Sequence, residues 1–236
     1  MGIMAKVPRS GYVKTRLVPP LTHEQATLLS QCFLRDVAAS IARAADAHPG
    51  RIHGLAVYLP QGEERAFDGL LPQGFRLLLQ RGEDLGERLF HATEDLLSAG
   101  FHSVCLVNAD SPTLPTSLLR EAVLALQAPG DRVVLGPATD GGYYLIGLKR
   151  AHGRLFQGIS WSTPEVFAQT LERARELQLE AHLLPEWYDV DDQQSLRLLC
   201  RELFGASSAG PPDGPGASTR ALLETLLPQL DSFAVE

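Results

Sequence analysis

The chain has 236 residues, of which 44% are hydrophobic and 21% charged, and its formal net charge is −7 at pH 7. This size and composition can bury a complete core without disulfides or metal staples. Net acidity without a long basic face argues against a nucleic-acid partner, and the lack of a ~20-residue apolar run or a secretory leader predicts a cytoplasmic protein without a membrane partner.

The first informative segment, residues 6–17, joins a short apolar start to a marked helix and carries four cations, a Pro and a Gly. It contains Lys6, Pro8, Gly11, Lys14, Thr15 and Arg16. Amides freed by Gly11, helped by the cations, can surround phosphate oxygens, and an Arg can do so with two parallel hydrogen bonds. A solvated basic loop that pairs with nearby carboxylates explains this segment equally well at this point.

Strand-like and helix-like segments alternate along the rest of the chain. A capping box at Thr22 and Gln25 precedes apolar residues at helical spacing, which predicts a long helix from about residue 23. Further strands are predicted at 52–59, 75–80, 103–108, 132–136, 143–148 and 181–184, and further helices at 85–99, 116–127, after 162–165 and after 192. Continuous apolar strands separated by helices indicate an α/β fold whose mostly parallel sheet is flanked by helices.

The predicted elements divide the chain into three segments. Residues 1–205 form a single domain, and residues 206–219, rich in Gly, Pro, Ser and Ala, are predicted to be a flexible linker. Residues 220–236 then read as a helical appendage, which either docks on the domain or joins a second copy in a homodimer. The three cysteines, Cys32, Cys105 and Cys200, lie far apart in apolar segments and are predicted to be reduced core residues.

Carboxylates at strand exits are the candidate metal ligands, because ligands of open α/β sheets bind beyond the carboxyl ends of the strands. Asp110 follows an apolar strand, where it can hold Mg²⁺ or Mn²⁺ or can simply cap the next turn. Asp189 and Asp191 lie on the same side of an extended segment, and a divalent cation would relieve their mutual repulsion. Asp192 is predicted to cap the helix after it.

Two Gly-rich segments are candidate ligand contacts. Asp140 precedes Gly141, Gly142 and Tyr143, where glycines allow close approach of a ligand and the tyrosine adds a stacking face; an ordinary hairpin turn is the alternative. In the other segment Arg81, Gly82 and Arg88 are available to phosphate or to ion pairs at a helix start. Trp161, Ser162 and Thr163 are predicted first as a helix start and second as a substrate contact.

Taken in order, five motifs resemble the DUF2064 group of GT-A-fold transferases, also called rSAM/selenodomain-associated transferase 1 and often labelled arsenosugar biosynthesis glycosyltransferase. The similarity covers about residues 3–204. Its motifs are Lys-x-Pro-x-x-Gly-x-Val-Lys-Thr-Arg-Leu at 6–17, Gly-x-Asp-Leu-Gly-x-Arg at 82–88, Asn-Ala-Asp-Ser-Pro at 108–112, Gly-Pro-x-x-Asp-Gly-Gly-Tyr-Tyr-Leu at 136–145 and Ile-x-Trp-Ser-Thr at 159–163.

The resemblance implies a nucleotide-diphospho-sugar transferase fold, Rossmann-like and related to glycosyltransferase family 2 and to guanylyltransferases acting on phospholactate or phosphoenolpyruvate. It also implies that loop 6–17 holds the nucleotide and that Asp110, with Asp189 and Asp191, forms the metal site. Two mechanisms fit the same residues. In glycosyl transfer from a nucleotide sugar to a small-molecule acceptor, Asp140 acts as base; in nucleotidyl transfer, Lys14 and Arg16 stabilise charge at the α-phosphate.

We expect glycosyl transfer, because the Asp-Gly-Gly-Tyr-Tyr and Trp-Ser-Thr segments match the glycosyltransferase-labelled group more closely. A catalytically silent nucleotide-binding module is the third reading, and it gives no reason to retain both the basic loop and three strand-exit acids. A dinucleotide-dependent oxidoreductase is weaker still, since no Gly-x-Gly-x-x-Gly follows a strand.

Overall fold

The computed structural model describes residues 1–46, 52–205 and 214–229. Within them one seven-stranded sheet has the order β3-β2-β1-β4-β6-β5-β7. The strands are β1 (Gly2–Lys6), β2 (Leu55–Leu59), β3 (Arg76–Leu79), β4 (Val104–Asn108), β5 (Arg132–Pro137), β6 (Tyr143–Leu148) and β7 (Glu180–Leu183). Neighbouring strands run parallel except at β6, which is antiparallel to both β4 and β5. The predicted mostly parallel α/β sheet is therefore confirmed.

The helices cover both faces of this sheet. They are α1 (His23–Asp46), α2 (Leu85–Ser98), α3 (Thr116–Gln127), α4 (Val166–Glu176), α5 (Gln193–Phe204) and α6 (Ala217–Leu226). Because side chains alternate along a strand, Cys105 and Val107 pack on the face covered by α1 and α3, whereas Val104 and Leu106 pack on the face covered by α2. Because helices bury both faces of the sheet, the strands consist of continuous apolar runs.

A third apolar cluster joins the first loop to the end of the chain. Leu17 from the loop and Phe33 from α1 are fully buried there with residues from α5 and α6, including Leu199 and Leu223. This cluster anchors the segment that follows β1. The loop is therefore held against the domain at its far end, close to the carboxyl edge of the sheet.

The C-terminal helix begins earlier than the sequence suggests. α6 starts at Ala217, inside the segment 206–219 that was predicted to be a linker, and residues 206–213 lie outside the described residues. Gly216, with φ +80°, turns the chain into the helix, and Asp36 of α1 accepts hydrogen bonds from the amides of Ser218 (2.8 Å) and Thr219 (2.9 Å). The apolar side of α6 packs on α1, and Asp36 of α1 caps its first turn.

The three cysteines are buried free thiols, as predicted, and burial raises the pKa of Cys32, Cys105 and Cys200 to about 11. In the described part of the chain, no helix is both long and apolar enough to cross a bilayer.

Candidate active site

The site forms where β1 and β4 end side by side. The two strands are parallel, with Met4 opposite Asn108, so the segments that leave them meet at the same edge of the sheet. The segment after β5 pairs with residues 187–189 through a bridge from Ala138 to Trp187. The amide of Val190 donates to the carbonyl of Asp110 at 2.9 Å. The sheet topology thereby brings four distant segments to one place.

Lys14 lies at the centre of this edge. Its Nζ is 2.6 Å from Asp110 Oδ1 and 2.8 Å from Asp191 Oδ1, and it also donates to the carbonyl of Val190 at 2.8 Å. The side chain is only 5% exposed. Burial by itself lowers the pKa of Lys14, but the attraction of the two carboxylates outweighs it, so the pKa lies above its ordinary value. Lys14 is therefore a buried, fully charged cation.

Arg16 adds a second, exposed cation. Its Nη2 lies 2.7 Å from Asp191 Oδ2, and 69% of its side chain is exposed. Burial raises the pKa of Asp191, yet Lys14 and Arg16 together hold it below its ordinary value. The backbone of Lys14 has φ +50°, and a short 3-10 turn follows at Thr15–Leu17. This turn directs both cations towards the strand-exit acids.

Asp189 is acted on by the other acids of the site. Its burial, together with Asp140 and Asp191, raises the pKa of Asp189 to about 6. Asp140 Oδ1 accepts from the amide of Gly142 at 2.8 Å, which fixes the carboxylate at its turn. Lys14 and Arg16 thus pair with Asp110 and Asp191, whereas the charges that act on Asp189 are those of other acids.

A cavity of about 260 Å³ opens beside the Lys14 ion pairs. Its lining includes the predicted residues Lys6, Pro8, Lys14, Asp110 and Asp191. Gly11 and Thr15 belong to the same loop but are not among the lining residues.

Among the lining residues that were not predicted from the sequence, two carry a side-chain hydroxyl group, Ser30 and Tyr12. Ser30 sits on α1, and a serine inside an amphipathic helix carries no signal of its own. Tyr12 is 71% exposed in the structure, and an aromatic residue among the basic residues of the loop is the signal that could have found it.

Other predicted phosphate contacts have structural partners instead. Arg81 pairs with Asp95 at 2.5 Å, and Arg88 donates to the carbonyls of Gly82 and Glu83 at 3.1 and 2.8 Å. Neither arginine lines the cavity beside Lys14. Arg88 thereby holds the segment that precedes α2, whereas Arg81 is tied to the C-terminal half of the same helix; ion pairing was the alternative that the sequence left open.

Gly141, one of the predicted substrate contacts, packs on Pro164, which directly follows the predicted contacts 161–163. A side chain at Gly141 would collide with the carbonyl of Pro164, and the Gly141 carbonyl accepts from the amide of Phe167 at 2.8 Å. Thr163 Oγ1 donates to the carbonyl of Ser160 at 2.6 Å, and Ser162 has φ +64°.

Two aromatic residues of the same segments are partly buried. Burial raises the pKa of Tyr143, so this phenol stays neutral. Trp161 lies against Gly86 at the start of α2.

The predicted metal ligands fit a hard divalent cation by their chemistry but are not arranged as a ready site. Among the described residues, no three His, Cys, Asp or Glu side chains come together closely enough to hold a metal ion. Instead, the ammonium of Lys14 lies between Asp110 and Asp191 and compensates part of their negative charge. Carboxylate oxygens are the donors that Mg²⁺ and Mn²⁺ prefer.

Comparisons with known proteins bear on the family and the fold. The family described as uncharacterized protein conserved in bacteria (DUF2064) matches residues 41–163. A protein from Desulfovibrio desulfuricans G20, provisionally named a nucleotide-diphospho-sugar transferase, is 32% identical, with a TM-score of 0.83 over 98% of this chain and 96% of that one. No curated protein matches the sequence.

More distant structures share the fold alone. A CMP:2-keto-3-deoxy-manno-octonic acid synthetase complexed with CTP is 14% identical, with a TM-score of 0.52 over 84% of this chain and 95% of that one. A cytidylyltransferase from Leptospira borgpetersenii serovar Hardjo-bovis is 10% identical, with a TM-score of 0.53 over 100% and 97%. The chain therefore belongs to the DUF2064 family and has the GT-A-like fold of nucleotide-diphospho-sugar transferases and nucleotidyltransferases.

Proposed function

We propose that the protein is a metal-dependent transferase that uses a nucleotide-activated donor, and that it transfers a glycosyl group from a nucleotide sugar to a small-molecule acceptor. The observation that carries this proposal is the meeting of Lys14 and Arg16 with Asp110 and Asp191 at the rim of a cavity. Cations and acids on one sheet edge are what a site needs to hold both phosphates and their metal. The name of the D. desulfuricans relative supports the same class.

The donor would extend across the first loop. Its phosphates would contact Lys6 and Lys14, which line the cavity, and Arg16, which pairs with Asp191 of the same lining. An apolar cavity of about 350 Å³ adjoins the first one and shares Lys6, Tyr12 and Val13 with it. Its walls include Leu59 and Pro60, and its polar rim includes Glu63. This second cavity suits a nucleobase, whose faces are apolar and whose edges form hydrogen bonds.

Asp110, Asp189 and Asp191 would hold Mg²⁺ or Mn²⁺, and the bound ion would neutralise charge on the leaving nucleoside diphosphate. Lys14 would then turn from its carboxylate partners towards a phosphate oxygen. Asp140, held by the Gly142 amide, would accept the proton from the attacking acceptor hydroxyl.

Nucleotidyl transfer is the second candidate, and the buried charge of Lys14 favours it. A charged ammonium beside Arg16 can stabilise charge that develops at the α-phosphorus of a nucleoside triphosphate. Products separate the two reactions, because glycosyl transfer leaves a nucleoside diphosphate and nucleotidyl transfer releases pyrophosphate. We expect the diphosphate when the protein is incubated with Mg²⁺ and each donor class; pyrophosphate release with a phosphorylated small acid would overturn this expectation.

Thermal shift tests the proposal that both mechanisms share. Nucleotides that bind only the folded protein raise its unfolding midpoint, so nucleoside triphosphates and nucleotide sugars are screened with and without Mg²⁺. We expect shifts that require the metal and that disappear in Asp110→Asn. The matched control is Asp68→Asn, which changes an exposed acid outside the site. Equal metal-dependent shifts in Asp110→Asn and the wild type would rule out Asp110 as a ligand.

A further inference from the structure

A third cavity lies outside the donor site, in a groove between α2 and the segment 153–161. Its volume is about 480 Å³. Aromatic side chains from both walls line it, namely Phe90, Phe156 and Trp161, and the polar lining includes Asp84, Glu87 and His91. Two of the sequence motifs, 82–88 and 159–163, meet here, although the donor site uses neither of them.

The groove is built by close packing. A Cβ at Gly86 would lie 2.7 Å from the Trp161 ring and 2.9 Å from the carbonyl of Phe156, so only glycine lets the indole lie against the first turn of α2. The rings of Phe90 and Phe156 are 6.4 Å apart and tilted by 55°. Asp84 caps α2 by accepting from the Glu87 amide at 2.8 Å. These contacts preform the groove without a ligand.

Packed segments connect the groove to the acids of the active site. Trp161 begins the turn that carries Pro164, and Pro164 packs on Gly141. Gly141 directly follows Asp140, whose charge acts on Asp189. A molecule held against Trp161 is therefore connected to Asp140, the proposed catalytic base, through the turn at 161–164 and its contact with Gly141.

The charge of the groove selects the chemistry of its occupant. Among the described residues that line it, the ionisable groups are Asp84, Glu87 and His91, with no lysine or arginine. Arg173 approaches at Gly158, but its guanidinium donates to the Gln157 carbonyl and pairs with Glu176. An anionic ligand would meet carboxylates without a compensating cation.

We propose that this groove binds the acceptor, and that the acceptor is an uncharged polyhydroxylated molecule such as a sugar. Its ring would stack on the aromatic side chains, and its hydroxyl groups would donate to Glu87 and Asp84. That the occupant is an acceptor rests on the proposed function. The proposal also disfavours phosphorylated carboxylic acids, the acceptors that nucleotidyl transfer would require.

Trp161 fluorescence tests the proposal in a Trp187→Phe background, where it is the sole indole. Methyl glycosides of glucose, galactose, mannose and xylose are titrated individually, with phosphoenolpyruvate as the anionic comparison. We expect at least one glycoside to change the emission saturably and phosphoenolpyruvate to leave it unchanged. Saturation-transfer NMR on the unmodified protein repeats the measurement without the background substitution. No glycoside signal in either experiment, or tighter binding of phosphoenolpyruvate, would overturn the proposal.

Phe90→Leu tests whether the binding is in the groove. It keeps an apolar side chain but removes a ring, so we expect about 5- to 10-fold weaker glycoside binding. Phe101→Leu is the matched control, because Phe101 packs on His53 and Arg76 away from the groove. Equal weakening in both variants would contradict the assignment. Metal-dependent thermal shifts with nucleotides are measured in parallel on the unmodified protein. If nucleotides give no such shift while a glycoside still binds, the proposed function is refuted and the assignment of the groove as a glycoside site is not.

Discussion

Asp36 holds the start of α6 against α1, and its replacement by alanine is expected to destabilise the protein. The carboxylate is only 2% exposed and accepts from the Ser218 and Thr219 amides at 2.8 and 2.9 Å. Gly216, the residue that precedes α6, has no side chain to cap the helix. Asp36 therefore caps from a distance of 182 residues along the chain.

Asp36→Ala removes the helix cap and leaves two backbone amides without an acceptor. Loss of an N-cap costs roughly 0.5–2 kcal/mol, and a buried donor left unsatisfied costs about 1–3 kcal/mol. The cost of burying a carboxylate, which raises the pKa of Asp36 despite the two hydrogen bonds, offsets part of this loss. We expect the free energy of unfolding to fall by about 2–3 kcal/mol, or the midpoint to fall by roughly 5–10 °C.

The sign of the pH dependence follows from the raised pKa. The folded protein binds a proton at Asp36 more readily than the unfolded chain does, so the stability from this group is complete below about pH 4. It is lost as the pH rises through the folded-state pKa. Asp36→Asn cannot titrate there, so its deficit relative to the wild type should be largest near pH 4 and should shrink towards pH 7.

Urea unfolding at several pH values measures both effects, and Glu224→Ala is the control because Glu224 is exposed on the same helix. The control should stay within about 0.5 kcal/mol of the wild type. If Asp36→Ala matches the control, the cap contributes nothing and the reasoning is wrong. A deficit of Asp36→Asn that grows with pH would refute the pKa argument separately.

Two further substitutions test the packing of the groove and the basic loop. Gly86→Ala should lower the free energy of unfolding by about 1–3 kcal/mol, because the new Cβ collides with Trp161; Gly153→Ala, whose nearest contact is an ordinary 3.5 Å, should be nearly neutral in the same urea assay. Arg16→Ala should weaken nucleoside di- or triphosphates by roughly 1.5–3 kcal/mol in calorimetric titration, without affecting a nucleoside that lacks phosphates. Lost folding stability in place of lost affinity would mean that Arg16 serves Asp191 structurally.

The sequence alone determined the elements of the fold and much of the candidate site. Apolar periodicity and capping residues act within a few positions, so α3 was predicted with the bounds observed, Thr116–Gln127, and α1 with its observed start. The strand-exit rule needs only the end of each strand, and it drew attention to Asp110 and to the acids after β7.

Tertiary structure decided which of these groups meet. Lys14 and Asp191 are 177 residues apart, and no local pattern predicts their ion pair. Nor could the sequence show that Arg81 and Arg88 brace α2, because an arginine's partner depends on which acid or carbonyl the fold brings within reach.

The same reason explains the start of α6 at Ala217. Local composition there favours a linker, but the cap comes from Asp36 on another helix. Local propensities depend on neighbours in the chain and can be read from it, whereas ion pairs, remote caps and cavities depend on neighbours in space, which the folded sheet creates.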